Sequence, residues 1–198
     1  MELLKQKFFL VARYFDVRFF ARFMCLLLCF YFLNLFLIKI ANPRSVYYND
    51  YLAKNFHYVS WMRTSILETS NVLANAMGLD SYLENDKTIR VRNGRALLMA
   101  RQCLGLEIIG FWIAFIMAHA VPLKRRLMWS FAGILAIWLI NTVRVAVLLY
   151  ARQHEWRLAS IDQHDLFNYV SYALVALLIY LFYKRGSNEA NIVNAAGT

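Results

Sequence analysis

The chain has 198 residues, of which 61% are hydrophobic and 16% aromatic, and its formal net charge is +10. A soluble domain has roughly 45–50% apolar residues, so this composition excludes an ordinary soluble protein and indicates an integral membrane protein. The basic residues collect at the ends of apolar runs instead of forming one polar face, which argues against nucleic acid as a partner.

The N-terminal part of the chain predicts an interfacial helix followed by a membrane span. Residues 1–22 alternate cations with aromatic residues at near-helical spacing, a pattern typical of an amphipathic helix lying in the membrane plane. The apolar run 23–40 follows. No small-residue cleavage site comes after it, so we expect a retained anchor and not a signal peptide.

The segment 41–104 predicts a separate structure outside the membrane. Its residues 59–77 favour one helix, and Gly78 is a natural stop. Asn93 and Gly94 then stand between two alternating runs, which is the strongest short signal for a hairpin with a two-residue turn. The apolar face of the predicted helix consists of Trp61, Met62, Ile66, Leu73 and Met77.

Three further apolar runs, at about 105–121, 128–150 and 167–183, each have a length close to the roughly 20 residues that cross a bilayer. The predicted fold class is therefore an all-α integral membrane protein with four transmembrane helices. We expect one membrane domain over 23–183 and a disordered cytoplasmic tail over 184–198. The lysines and arginines at the span ends predict that both termini are cytoplasmic and that 41–104 lies outside.

Two charged residues stand where a membrane span should be apolar. Arg144 lies about 9 Å below the outer end of the third predicted span, and Asn141 shares its face. A charge inside a span costs roughly 2.5–3.5 kcal/mol on insertion scales, so it needs a reason. Glu107 of the second span has a similar predicted depth, and a Glu107–Arg144 pair would relieve both costs. The alternative is that Arg144 extends outward or pairs only for stability.

Three residues from different predicted spans converge on the outer leaflet. Cys103 precedes the second span, Arg144 belongs to the third, and His164 opens the fourth, with Asn168 on the same face as His164. His164 could also simply cap its helix. No cysteine and histidine pairs stand at zinc-ligand spacing, and Cys103 has only span-one cysteines as conceivable disulfide partners.

A thiol of this kind is a candidate nucleophile. A guanidinium stabilises the thiolate, and a histidine can move the proton from the thiol to a departing amine. Asn141 or Arg144 could donate to the oxyanion of a tetrahedral intermediate. These groups suffice for acyl transfer through a thioester, without a metal or another cofactor.

The sequences "RQCLGLEI", "NTVRVAVLL" and "DQHDLFNYVSY" stand at the outer ends of successive predicted spans. With these three motifs in this order, the chain resembles the exosortase/archaeosortase family of membrane transpeptidases. The resemblance extends from about residue 87 to 183 and is strongest to the small four-span Bacteroidota-type members. Leu104 and Asn168 depart from the family pattern, which has a small residue and often a glycine at these places.

The resemblance implies that Cys103 is the nucleophile and that Arg144 and His164 are the other essential residues. It also implies a bacterial cytoplasmic (inner) membrane protein with its active site on the extracytoplasmic side. The expected partners are exported proteins with a C-terminal motif, a membrane helix and a basic tail, and a membrane lipid or other surface acceptor.

Two questions remain open at the level of sequence. Four outer arginines could receive an acidic residue of the substrate or a lipid phosphate, or could be solvated charge on the hairpin: Arg90, Arg92, Arg95 and Arg101. The second question is whether the chain is an enzyme at all. A non-catalytic membrane subunit that docks components of surface protein or polysaccharide export would also place polar groups between spans, and a small transporter half would need a continuous polar path.

Overall fold

The computed structural model describes residues 16–43, 45–55, 58–154 and 163–196. Its helices are α1 (Val17–Ala41), α2 (Asp50–Asn55), α3 (Tyr58–Ala76), α4 (Leu106–Ala118), α5 (Leu123–Gln153) and α6 (Gln163–Ala196). The strands β1 (Ser81–Asn85), β2 (Thr88–Val91) and β3 (Ala96–Leu98) form one antiparallel sheet in the order β1-β2-β3, and the 3-10 helix η1 spans Arg101–Leu104.

The chain divides into two compact units. The first consists of Met1–Lys54 and Glu107–Ser130, and the second of Asn55–Leu106 and Phe131–Thr198. In the first unit, the aromatic rings of α1 pack against α4, and the Phe23 and Phe111 ring centroids lie 5.4 Å apart. The buried Trp112 indole donates a hydrogen bond of 2.9 Å to the Trp129 carbonyl oxygen, which ties α4 to the start of α5.

Two of the described helices are long and apolar enough to cross a membrane, α1 and α5. α1 begins at Val17, where Asp16 caps it by accepting from the Phe19 N–H, so the predicted first span, 23–40, lies within a longer helix. The predicted interfacial helix falls for the most part outside the described residues. α4 has 13 residues and is shorter than the predicted second span.

α5 and α6 extend past the ends of the predicted third and fourth spans. α5 has 31 residues and α6 has 34, and α6 continues to Ala196 through most of the tail for which disorder was predicted. The prediction of four membrane spans stays a prediction, because length and apolar composition mark only α1 and α5 among the described residues.

The second unit has a hydrophobic core between α3, the sheet and the C-terminal half of α5. Its buried members include Ile66, Leu67, Ile89, Ala146 and Leu149. α3 matches the predicted helix 59–77 to within one residue and ends as expected at Gly78, whose φ is +90°. The Leu79 N–H donates to the Ala74 carbonyl oxygen and the Gly78 N–H to that of Asn75, which are the two bonds of a Schellman motif.

The predicted core face of α3 was partly wrong. Trp61 is 61% exposed and Met77 is also exposed, whereas the buried positions are Arg63, Ile66, Leu67, Ser70 and Ala74. The small residue Ser70 stands on this face where α3 lies close to α5. The Ser70 hydroxyl, 2.6 Å from the Ile66 carbonyl oxygen, is 3.0 Å from that of Thr142 on α5.

The predicted hairpin is present as β2 and β3, and β1 adds a third strand that the sequence did not predict. The turn is longer than expected. The Val91 N–H donates to the Arg95 carbonyl oxygen, which leaves three residues, Arg92 to Gly94, in the loop instead of two. Asn93 takes the left-handed conformation with φ of 57°, which asparagine tolerates.

Candidate active site

Cys103 lies in the short 3-10 helix between the sheet and α4. Its backbone N–H donates to the Ala100 carbonyl oxygen at 3.1 Å, and its side chain is partly buried against the core of the second unit. Gly105 ends this helix with φ of +71°, a left-handed conformation that favours glycine. Residues 103–105 form what we call the cysteine turn.

The cysteine turn is held against α5 through Asn141. The Asn141 side-chain amide donates a hydrogen bond of 3.3 Å to the carbonyl oxygen of Leu104, which is itself fully buried. A Cβ atom on Gly105 would come within 2.6 Å of the Asn141 Nδ2 and 3.1 Å of the Ile137 Cγ2. The absence of a side chain at residue 105 therefore permits this approach.

Arg144 lies one helical turn beyond Asn141 on α5, toward the helix C-terminus. Its side chain is only 6% exposed, and its neighbours Val145 and Ala146 belong to the core against which Cys103 packs. The structure thus brings the cysteine turn and the Asn141–Arg144 face of α5 into the same part of the second unit.

The strand that leads to the cysteine is attached to the far end of the same helix. The Arg95 N–H donates to the Gln153 side-chain oxygen at 3.2 Å, and the Arg152 guanidinium donates to the Ala96 carbonyl oxygen at 3.4 Å. A Cβ atom on Gly94 would collide with the Gln153 amide. The hairpin tip is therefore docked on the last turn of α5.

Helix α3 also lies next to the cysteine turn and α5. It packs against η1 and is joined to α5 by two buried or partly buried bonds, from the Trp138 indole to the Ser65 hydroxyl at 3.0 Å and from the Ser70 hydroxyl to the Thr142 carbonyl oxygen.

Burial raises the pKa of the Tyr58 hydroxyl at the start of α3, and the Arg101 guanidinium partly opposes that shift.

Of the four arginines that could either bind substrate or be solvated charge on the hairpin, two form ion pairs. Arg90 lies 3.1 Å from a Glu84 carboxylate oxygen and Arg92 lies 3.3 Å from one of Asp80. These pairs favour the structural interpretation of both residues. Arg95 and Arg101 are exposed, and Arg101 is two residues from Cys103.

The remaining predicted residues are not brought together by described contacts. Glu107 stands in the first turn of α4 with an exposed side chain, a place where a carboxylate interacts favourably with the helix dipole. Its pairing with Arg144 stays a prediction. His164 and Asn168 belong to the first turns of α6, and their side chains lie outside the described part of the structure.

Sequence reasoning missed Arg63, which is a buried cation on α3. The signal was available, because Arg63 precedes Ile66 and Leu67 by three and four residues and so shares their helical face. In the described part of the chain, no three His, Cys, Asp or Glu side chains form a group that could hold a metal ion.

The arrangement can support nucleophilic chemistry at a thiol, with an arginine on a fixed neighbouring helix. The sequence profile of the transmembrane exosortase family (Exosortase_EpsH) matches residues 8–181, which is most of the chain. No curated protein and no solved structure matches it significantly. The match includes the cysteine turn, α5 and the start of α6. The chain therefore belongs to the transmembrane exosortase family.

Proposed function

We propose that this chain is a cysteine transpeptidase of the bacterial cytoplasmic membrane that cleaves the C-terminal sorting signals of exported proteins. Its family consists of membrane transpeptidases that act on such proteins. Cys103 is the nucleophile, Arg144 and His164 are the other catalytic residues, and Asn141, Glu107 and Asn168 support them. The exposed Arg95 and Arg101 are the two arginines that bind the substrate, whereas Arg90 and Arg92 pair with Glu84 and Asp80.

The proposed reaction begins with removal of the proton from the Cys103 thiol by the His164 imidazole. The sulfur attacks the carbonyl carbon of the scissile peptide bond, and Arg144 stabilises the negative charge that develops on oxygen. The C–N bond then breaks as His164 returns the proton to the leaving amine. The thioester is resolved when a surface acceptor, such as a membrane lipid, attacks it and releases the thiol.

The observation that carries this proposal is the seating of the cysteine turn on α5. The Asn141 amide donates a hydrogen bond of 3.3 Å to the Leu104 carbonyl oxygen, and the neighbouring atoms of α5 leave no space for a side chain at residue 105. A packed structural cysteine needs no such support. A nucleophile does, because misplacement by about 1 Å can reduce a rate by roughly a hundredfold.

The membrane topology is part of the same proposal. We place both termini in the cytoplasm, four spans in the bilayer, and the cysteine turn on the extracytoplasmic side. The basic link that contains Lys124, Arg125 and Arg126 supports a cytoplasmic position for the start of α5. The outer arginines would then face the exported substrate.

The first test compares single-cysteine changes in intact cells. Cys103→Ala should reduce processing of an exported protein with a C-terminal helix and basic tail by more than about a thousandfold. Cys29→Ala, on the exposed surface of α1, is the matched control and should leave processing unchanged. Processing that survives in Cys103→Ala and Cys103→Ser would instead identify a non-catalytic docking subunit.

The second test follows the thiol itself. A membrane-impermeant maleimide should label Cys103 rapidly near neutral pH, and Arg144→Ala or His164→Ala should slow the labelling sharply because the thiolate is then less stabilised. Labelling that is slow and identical in all variants would contradict an activated nucleophile at residue 103.

A further inference from the structure

One end of the first unit brings together the first turns of α1 and α5 and the last turn of α4. The Phe19 ring centroid on α1 lies 5.9 Å from that of Phe115 and 4.5 Å from that of His119, which directly follows α4. α5 then begins at Leu123, four residues after His119. We call this junction of three helices the basic end.

The charged side chains at the basic end are almost all cations. Asp16, which caps α1, is the single acid among the described residues of this end. The apolar runs of α1 and α5 start directly after Arg22 and Arg126. Charged residues flank the part of a membrane helix that crosses the hydrocarbon, so this pattern puts the basic end at the level of the lipid headgroups. Its cations are Arg18, Arg22, Lys124, Arg125 and Arg126.

The first turn of α5 has backbone donors that the helix itself does not use. The first bond within α5 runs from the Arg126 N–H to the Pro122 carbonyl oxygen, so the N–H groups of residues 123–125 have no acceptor inside the helix. Pro122 has no side-chain oxygen with which to cap them. Such a helix N-terminus carries positive potential and favours an anion.

Two buried side-chain donors stand on one face of α5 just beyond this turn. Ser130 is 8% exposed, and both its Oγ and the Nε of Arg126 are shut off from solvent. Among the described residues, neither atom has a hydrogen-bond partner. Side chains on a helix lean toward its N-terminus, so both donors point toward the open first turn. Buried polar groups almost always have a partner, and these two therefore indicate a ligand that supplies oxygen atoms.

The surface beside these donors is apolar, which distinguishes a lipid from a soluble anion. Leu127 and Met128 are 54% and 50% exposed on α5, and Phe20 on α1 is 44% exposed. Ser130 lies about 6 Å further along α5 than Arg126. A phospholipid has acceptors at two such levels, its phosphate and the glycerol esters next to the acyl chains. A free phosphate would reach only the outer level.

We propose that the basic end binds an anionic phospholipid. The Arg126 guanidinium and the open N–H groups of α5 bind the phosphate. The Ser130 hydroxyl donates to a glycerol ester oxygen, and the acyl chains lie along Leu127 and Met128. The basic end belongs to the first unit and the cysteine turn to the second, so this inference does not depend on the proposed chemistry.

The first experiment measures lipid binding through the melting temperature of the full chain in detergent micelles. Dioleoyl phosphatidylglycerol should raise the melting temperature by about 2–4 °C. Dioleoyl phosphatidylcholine has the same acyl chains but no net charge, and its effect should be less than half as large, as should that of sodium phosphate. An equal rise with phosphatidylcholine overturns the proposal. An equal rise with sodium phosphate would identify a soluble anion as the ligand and overturns it as well.

The second experiment compares two arginines by native mass spectrometry of the detergent-solubilised chain. Arg126→Gln should weaken the binding of phosphatidylglycerol about tenfold or more, because charge-assisted hydrogen bonds are lost. Arg185→Gln is the matched control, since it removes an exposed guanidinium from α6, and it should keep the wild-type affinity. Equal weakening in both variants would reveal a general attraction between cations and anionic lipid, and would overturn a specific site.

A third variant separates binding from structural support. Ser130→Ala removes a buried hydroxyl that has no partner among the described residues, so the lipid-free chain should keep its melting temperature. Its affinity for phosphatidylglycerol should fall about three- to tenfold. A lower melting temperature without lipid, or an unchanged affinity, overturns the assignment. This variant also decides the question if Arg126→Gln does not fold.

Discussion

The Asn141 amide donates its hydrogen bond to the carbonyl oxygen of Leu104, the residue that directly follows the cysteine. One turn further along the same helix stands Arg144. A single helix therefore both fixes the backbone that carries the thiol and supplies the buried guanidinium. In the proposed function, this relationship places the sequence elements around Cys103 and Arg144, which are 41 positions apart in the chain, at one site.

Gly105→Ala should disable the site more than it destabilises the fold. An alanine at φ of +71° is strained by roughly 1–2 kcal/mol. Its Cβ would also come within 2.6 Å of the Asn141 Nδ2, so the Asn141 amide or the cysteine turn must shift and the hydrogen bond to Leu104 is disturbed. Processing rate and melting temperature are measured together. Gly78→Ala is the control, because φ is +90° there and a Cβ meets nothing within 4 Å. Equal loss of processing in both variants would contradict a special role for residue 105.

Asn141→Ala should slow processing by about 10- to 100-fold, because the cysteine turn loses the donor that positions it. The buried Leu104 carbonyl oxygen would also lose its partner, at a cost of about 1–3 kcal/mol in unfolding free energy. Thr142→Val is the neighbouring control. It removes a hydroxyl that donates only within α5, to the Trp138 carbonyl oxygen, and leaves the cysteine turn untouched. A wild-type processing rate in Asn141→Ala would show that the cysteine turn keeps its position without the hydrogen bond from Asn141.

Ser70→Val tests the close approach of α3 and α5. The Ser70 hydroxyl is fully buried at the contact with Thr142, so a larger side chain must separate the helices. Overpacking of this kind costs about 1–3 kcal/mol and should lower the melting temperature by about 3–8 °C. Thr69→Val removes a similar hydroxyl bond, to the Ser65 carbonyl oxygen, on the exposed side of α3. Its effect should stay within about 0.5 kcal/mol.

The second unit should lose stability at alkaline pH through Tyr58. Burial raises the pKa of its hydroxyl above the usual value of about 10, against the smaller influence of Arg101. The unfolded chain then releases this proton at a lower pH than the native chain. The contribution of Tyr58 to stability is therefore constant below about pH 10 and is lost as the pH rises from there through the native pKa.

Tyr58→Phe should remove that component of the pH dependence. Unfolding of the full chain in detergent micelles between pH 8 and 11 provides the measurement, with Tyr82→Phe on the exposed side of the sheet as the control. If the wild type and Tyr58→Phe lose stability in parallel, other groups are responsible.

Local signals in the sequence predicted local structure well. The helix that became α3, its end at Gly78 and the hairpin at Asn93 all depend on neighbouring residues, and each is present. The exact loop length of the hairpin was not predictable, since it depends on how the tip meets Gln153. The sequence SYLEN of β1 has too weak an alternation to mark a strand before its partner is known.

Nonlocal contacts account for what the sequence did not predict. The exposed Trp61 and the buried Ser70 depart from the expected core face of α3, because at Ser70 the approach of α5 leaves space only for a small side chain. Asn141 was predicted as a polar group near the site from its spacing to Arg144. Its bond to Leu104 required a fold that joins two distant segments.

The segment from Gly94 to Gly105 is tethered to α5 at two heights, at Gln153 and at Asn141, which are twelve residues or about 18 Å apart along the helix. Helix ends fray first, so the tether at Gln153 opens at a lower free energy than the one at Asn141. Amide protection from hydrogen exchange should consequently disappear from the hairpin tip before it disappears from the cysteine turn. Within the segment from Gly94 to Gly105, the part that carries the thiol is therefore the last to unfold locally.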